Sequence, residues 1–383
     1  MGLDSNLIDE IVNFRQQLHN SPELSGKETN TSNSVAHFLS KANPTELIRG
    51  IGGHGIAVTY DSGKPGATIL FRADLDALPI QESNTFAYRS KYDGIAHLCG
   101  HDGHTAILAG MAKVLDKQRP MKGRVVLLFQ PAEETGQGAK NVINDKLFSK
   151  IKPEYAFALH NLPGFEKGSV CIKEDSFASA STGVIIHLKG LSSHAAHPED
   201  GKNPDVLLAN LIIRLNEINA RENQGEDFDL LTVIHARLGE QAFGTTPGNA
   251  VLMATIRASR NEDMLAICKY VEKTVNENCI AFKISYTLSY TEEFPATINN
   301  AECVGIIKNA ASAIGIPIKT LEASFRWSED FGHFTQSYKA ALFGIGSGIS
   351  HPQLHNENYD FPDEIIEPAM LVYKGILQEF GVL

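Results

Sequence analysis

Leu7, Ile8, Ile11, Phe14 and Leu18 recur at helical spacing behind Ser5, which predicts an amphipathic helix ending near Ser21 and Pro22. Four continuous apolar runs, at 67–71, 125–129, 155–159 and 340–345, read as strands buried on both faces. The stretches between the first three carry helical patterns, as in ILAGMAKVLDK at 107–117. Strand and helix in alternation predict a largely parallel sheet covered by helices, with ligands gathered beyond the carboxyl ends of its strands.

The pattern changes in the middle of the chain. Strand (183–190), helix (204–218), strand (230–238), strand (250–258), helix (262–275) and strand (281–290) follow in turn. This β-α-β-β-α-β order is the split βαβ, ferredoxin-like unit, complete as a small domain. A chain of 383 residues exceeds the usual span of one hydrophobic core, so two domains are expected. The reading is an α/β fold whose mostly parallel sheet domain is supplied by 1–180 and 292–383, around an inserted α+β domain at 181–291.

Composition narrows the partners. Hydrophobic residues make up 43% and charged residues 21%, which is globular composition. The formal charge is -11 and no Lys/Arg cluster breaks it, so nucleic acid and anionic membrane surfaces are excluded as partners. No apolar run reaches the roughly 18 residues that span a bilayer, and the start lacks a basic region followed by an apolar core. A cytoplasmic protein is the expectation. The five cysteines are odd in number, scattered and without a C-x-x-C pair, which suits free thiols in a reducing compartment.

Polar residues follow each apolar run. FRADLDALP places Asp74 and Asp76 after the first run, LLFQPAEE places Glu133 and Glu134 after the second, and FALHN places His160 after the third. HLCGHDGH (97–104) reads as a loop leading into a helix, and HPQLHNENYDFP brings His351 and His355 after the last strand. Strand ends on one edge of a parallel sheet converge, so thiolate, imidazole and carboxylate meet there, the ligand set of a divalent metal such as zinc. Adjacent carboxylates at Glu133 and Glu134 would repel unless a cation lay between them. Cys99 and His101, one residue apart, point the same way from an extended loop. Cys99 as a nucleophile is the competing reading, but neighbouring carboxylates would raise its pKa. GIGGHG (50–55) fits G-x-G-x-x-G yet precedes a strand instead of opening a helix, so a glycine turn is preferred to a dinucleotide site. Serine-hydrolase, zincin and P-loop signatures are missing.

RQQLHNSPELSGKE, FRADLDALP, HLCGHDGHTA, QPAEETGQGA, ALHNLPG, SHAAHPEDGKNP, SEDFGHF and LHNENYDF, in that order, resemble the motif series of the metal-dependent amidohydrolases that include hippurate hydrolases, N-acyl-amino-acid deacylases and auxin-conjugate hydrolases. The resemblance implies a zinc-aminopeptidase-like catalytic domain with an inserted lid domain. It implies two divalent metals, zinc or manganese first and cobalt or nickel next, held by Cys99, His101, Glu134, His160 and His355. It makes Glu133 the general base, Asp76 the residue orienting a metal-binding histidine, and His194 the donor to the oxyanion, in some relatives reaching across a dimer. Homo-oligomerisation through the lid stays open. The implied reaction is hydrolysis of an N-acyl amino acid, a small-molecule substrate. A dipeptidase and a non-catalytic metal-binding protein on the same fold are the alternatives. Two positions depart from the pattern: Gly244 stands where an asparagine is common, and Glu199 where an imidazole is usual. With that asparagine gone, Arg257 on the following strand is the candidate for a bidentate contact to the substrate carboxylate.

Overall fold

The computed structural model describes residues 2–220 and 228–383. It divides into two compact units, one of Met1–Phe177, Thr297–Glu322 and Glu329–Leu383, the other of Ala178–Ala296 and Ala323–Ser328.

The first unit opens with α1 (Ser5–Asn20) and α2 (Thr29–Ser40), then β1 (Glu46–Ile51), β2 (Gly55–Asp61) and β3 (Thr68–Asp74). It continues through α3 (His101–Lys117), β4 (Arg124–Gln130), α4 (Gly138–Asn144), β5 (Tyr155–Pro163), β6 (Val170–Ile172) and β7 (Asp175–Ala178). The second unit carries β8 (Ala180–Lys189), α5 (Asp205–Asn216), β9 (Asp229–Leu238), β10 (Asn249–Ala258), α6 (Asn261–Phe282) and β11 (Ser285–Phe294). The chain then returns to the first unit with β12 (Thr297–Asn299), α7 (Ala301–Ala313), β13 (Ile318–Thr320), α8 (Gly332–Thr335), β14 (Lys339–Gly348) and α9 (Ile366–Glu379).

The main sheet has the order β1-β2-β4-β3-β5-β14-β6-β13. Its centre, β4-β3-β5-β14, is parallel throughout. These are the four runs expected from sequence, and they are buried along nearly their whole length. Their carboxyl ends therefore lie on one edge, where the polar residues that follow them are brought together. Strands β1 and β2 join antiparallel at one side, linked by a turn in which Gly50, Gly52 and Gly53 all have positive φ. GIGGHG is thus a hairpin turn.

Helix α1 buries Leu7, Ile11, Phe14 and Leu18, as its spacing predicts, but Arg15 and His19 are buried with them. Helix α3 is covered on all sides, and it begins at His101 behind Gly100, whose φ of 95° is left-handed. HLCGHDGH is therefore loop only as far as Gly100. A left-handed residue with no Cβ turns the chain straight into the helix, and a Cβ there would sit 2.4 Å from the Asn161 side chain.

In the second unit the sheet order is β11-β8-β10-β9, antiparallel throughout, with α5 and α6 packed against it. Val184, Ile186 and Leu188 of β8, with Leu252, Ala254 and Ile256 of β10, form its buried face. Helix α6 runs further than the 262–275 expected, because Val271, Val275 and Cys279 continue its buried stripe until Lys283, with φ of 53°, caps it. The next strand accordingly starts at Ser285, not 281.

Candidate metal centre

Strand β3 delivers Asp74 and Asp76, β4 leads into Glu133 and Glu134, β5 carries His160, and the loop after β14 carries His355. Cys99 and His101 arrive on the turn that starts α3. Potential ligand atoms cluster within 4.8 Å as Cys99–His101–His160, Cys99–Glu134–His355 and His101–Glu133–Glu134. All five ligands expected from sequence, and the expected base, thus meet in one place in the first unit.

The spacing suits a cation. Metal bonds of roughly 2.0–2.3 Å at tetrahedral angles put ligand atoms about 3.3–3.8 Å apart. Cys99 Sγ lies 3.5 Å from His160 Nε2. His101 Nε2 lies 3.7 Å from Glu134 Oε1, and His355 Nε2 lies 3.9 Å from the same oxygen. His101 Nε2 and Glu134 Oε1 are buried without any hydrogen-bond partner, a costly state for polar atoms that a metal would relieve. Their other contacts aim them: His101 Nδ1 is 3.0 Å from the main-chain oxygen of Asp76 and 3.5 Å from its carboxylate. A donor-occupied Nδ1 leaves the Nε2 lone pair for a metal. Asp76 Oδ2 accepts from Glu134 N (3.0 Å) and Ser25 Oγ (2.6 Å), so Asp76 orients two ligands at once.

The charges point the same way. Burial, with Glu329, Glu134 and Asp330 adding, holds the Glu133 carboxyl well above the ordinary range. Burial, aided by Asp76 and Asp74 against the pull of His101, pushes Glu134 up to about 7. Burial and Glu134 raise the Cys99 thiol well above its usual value, which disfavours a free thiolate nucleophile. So many carboxylates without a compensating cation would not remain charged.

Not every polar group in the cluster can be a ligand. Asp74 and His104 also fall within ligand distance of His101, yet His104 Nδ1 meets Asp74 Oδ1 at 2.7 Å and its Nε2 meets Asn161 Oδ1 at 2.5 Å. Asp74 Oδ2 is taken by Arg72 at 2.7 Å. Both ring nitrogens and both carboxylate oxygens being occupied, the pair forms a polar floor under the ligands. Arg72, fully buried, also reaches Glu329 at 2.9 Å and Asp330 at 2.7 Å, and Asp330 N donates to Glu133 Oε1 at 3.2 Å. The sequence motifs contain these residues, but only the charged Arg72 inside an apolar strand signalled a partner network.

Asp102 likewise turns away from the metal ligands. It accepts from Arg15 at 3.3 Å and meets His19 Nδ1 at 2.9 Å, while His19 Nε2 meets Glu82 at 3.1 Å. Burial alone would depress the His19 imidazole, but Asp102 and Glu82 together outweigh it and push its pKa up to about 9. Its stabilising contribution is therefore complete below the unfolded value near 6.5 and lost as pH rises through 9. A shift of this size corresponds to roughly 3 kcal/mol. Thermal midpoints across pH 6.5–10 should fall for the wild type and change less for His19→Gln, which starts lower; parallel curves would contradict the pairing.

His194 and Arg257 belong to the second unit. His194 is exposed and bridges to Thr245, with Ala195 N donating to Gly244 O at 3.0 Å. Arg257 Nη1 donates to Arg326 O and Ser328 Oγ, both at 3.0 Å, and so anchors the 323–328 segment of its own unit.

The model for "Peptidase family M20/M25/M40" matches residues 70–379, most of the chain and every ligand cluster described above. The chain belongs to this family. It is an amide-bond hydrolase. An uncharacterized hydrolase of Staphylococcus epidermidis is 29% identical over 386 residues, covering 98% of this chain and 99% of its own. Among solved structures, a putative aminohydrolase from methicillin-resistant Staphylococcus aureus superposes with a TM-score of 0.89 at 22% identity, over 98% of this chain and 97% of that one. A dinuclear metal-binding M20 peptidase of Bacillus subtilis gives 0.84 at 22% identity over the full length of both. An aminobenzoyl-glutamate utilization protein of Klebsiella pneumoniae gives 0.74 at 20% identity, over 97% and 96%. These likenesses establish the M20 fold, in which an α/β catalytic domain carries an inserted α+β lid. No helix among the described residues is long and apolar enough to cross a membrane.

Proposed function

We propose that this M20 hydrolase cleaves the amide bond of N-acyl amino acids at a two-metal centre held by Cys99, His101, Glu134, His160 and His355. The observation that carries the reading is the pair of ligand groups that share Cys99, one completed by His101 and His160, the other by Glu134 and His355. Two divalent cations bound there would be held by Cys99 together with the His101, His160, Glu134 and His355 side chains. Zinc suits the thiolate and imidazole donors, and manganese, cobalt and nickel are the alternatives where availability decides. When bound, such cations polarise the amide carbonyl and make water acidic enough to attack at neutral pH.

The chain's own groups do the rest. Glu133 takes the proton of the attacking water and hands it to the departing amine nitrogen, for which a carboxyl raised by burial is well matched. Asp76 keeps His101 and Glu134 in place. His194 supplies a donor to the developing oxyanion, and Arg257 contributes to the binding of the substrate carboxylate. The protein works in the cytoplasm on small-molecule substrates.

A dipeptidase uses the same chemistry but recognises a free amine, and a tripeptidase of Staphylococcus aureus shares the fold at a TM-score of 0.75. Comparing a dipeptide with its N-acetylated counterpart decides between them. The N-acyl form is expected to have at least a tenfold higher kcat/KM, about 1.4 kcal/mol of discrimination; the reverse preference would establish the dipeptidase.

A further inference from the structure

Glu28 is fully buried and lies 104 residues before Ala132, whose backbone N–H its Oε1 accepts at 2.8 Å. The same oxygen accepts Gly26 N at 2.9 Å, while Oε2 is buried with no hydrogen-bond partner. A carboxylate used on one side only is a poor device for stability, because the idle oxygen is desolvated without return. What it holds explains it better. Ala132 has φ of 55°, a left-handed conformation that alanine adopts at a cost and glycine freely. Glu133 follows directly.

We propose that Glu28 is a positioning residue for the catalytic base, clamping Ala132 in the left-handed turn that presents Glu133 to the metal centre. The proposal rests on the assignment of Glu133 as base. The turn has no slack to find this geometry alone. Ala132 O accepts Gly138 N at 3.0 Å, and a Cβ at Gly138 would fall 1.8 Å from Pro131 O. On the far side of the base, Glu134 N is fixed by Asp76 Oδ2, which Ser25 Oγ supports in turn. The short stretch from Ser25 to Glu28 therefore grips the Glu133–Glu134 pair at both ends. Glu133 Oε1 is left to one further contact, Asp330 N.

The test measures kcat, KM and metal content on the best-hydrolysed member of an N-acetyl and N-benzoyl amino acid panel. Glu28→Ala should lower kcat at least tenfold with KM within threefold and metal content unchanged. Glu28→Gln keeps the accepting oxygen and should stay within threefold of wild type. Glu28→Asp keeps the charge but loses the reach and should be impaired. Adding Ala132→Gly to Glu28→Ala should restore kcat at least threefold, since glycine needs no clamp. A Glu28→Ala protein within twofold of wild type, a Glu28→Gln protein as impaired as Glu28→Ala, or no recovery with Ala132→Gly overturns the proposal. If Glu28→Ala does not fold, the Gln and Asp variants decide: Gln active with Asp impaired supports the clamp, and the opposite order overturns it. Glu133→Gln run alongside separates the two readings. If it is inert while Glu28→Ala is normal, the clamp alone fails; if it turns over normally, the base assignment fails first.

Discussion

Glu133→Gln should hold its metals as the wild type does and yet hydrolyse N-acyl amino acids roughly a hundred- to ten-thousandfold more slowly, the usual worth of a positioned general base. The separation is expected because Glu133 lies between the ligands and a second carboxylate group. Its Oε1 accepts Asp330 N, and the Glu329 and Asp330 charges raise its carboxyl further after burial has done so. An amide keeps the shape and the hydrogen bond but cannot take a proton from water. KM should change little, since the deficit falls on the proton transfer. Metal content by mass spectrometry and initial rates across the acyl amino acid panel check both halves of the result. Wild-type turnover by Glu133→Gln would remove the mechanism.

Cys99→Ala should lose metal and activity together, the activity by on the order of a hundredfold or more, since a ligand deletion exceeds the 10–100-fold seen for supporting groups. Cys99 is expected to cost more than His355 because its sulfur belongs to two ligand groups, whereas His355 belongs to one. The variant also decides the older question about the thiol. Retained metal with lost turnover would mark Cys99 as a nucleophile, and retained metal with normal turnover would leave it no role.

The central strands were legible because burial on both faces demands uninterrupted apolar runs, and β3, β4, β5 and β14 have them. The site followed from the same strands, since their carboxyl ends carry Asp76, Glu133, His160 and His355. The outer strands β1, β6 and β13, of which β1 and β13 are the sheet's edges, were not legible; two have three residues and the other alternates too irregularly to show a period. The supporting network was hidden for a different reason. Asp102 reads from sequence as a supporting polar group and His104 as part of the helix start, but their partners, Arg15, His19, Asp74 and Asn161, come from distant elements and could not be named. Arg15 and His19 did leave a trace, as charged or titratable positions inside the apolar stripe of α1. Glu28 left none, because nothing in PELSGKE announces that one glutamate will be buried.

Stripping the protein of metal and titrating it back with zinc or manganese, while following N-acyl amino acid hydrolysis, tests the central claim most directly. The account predicts no activity in the stripped protein and a rise that reaches its plateau at two equivalents per subunit. Full hydrolysis without metal, or metal bound at two equivalents with no hydrolysis of any N-acyl amino acid, would contradict it.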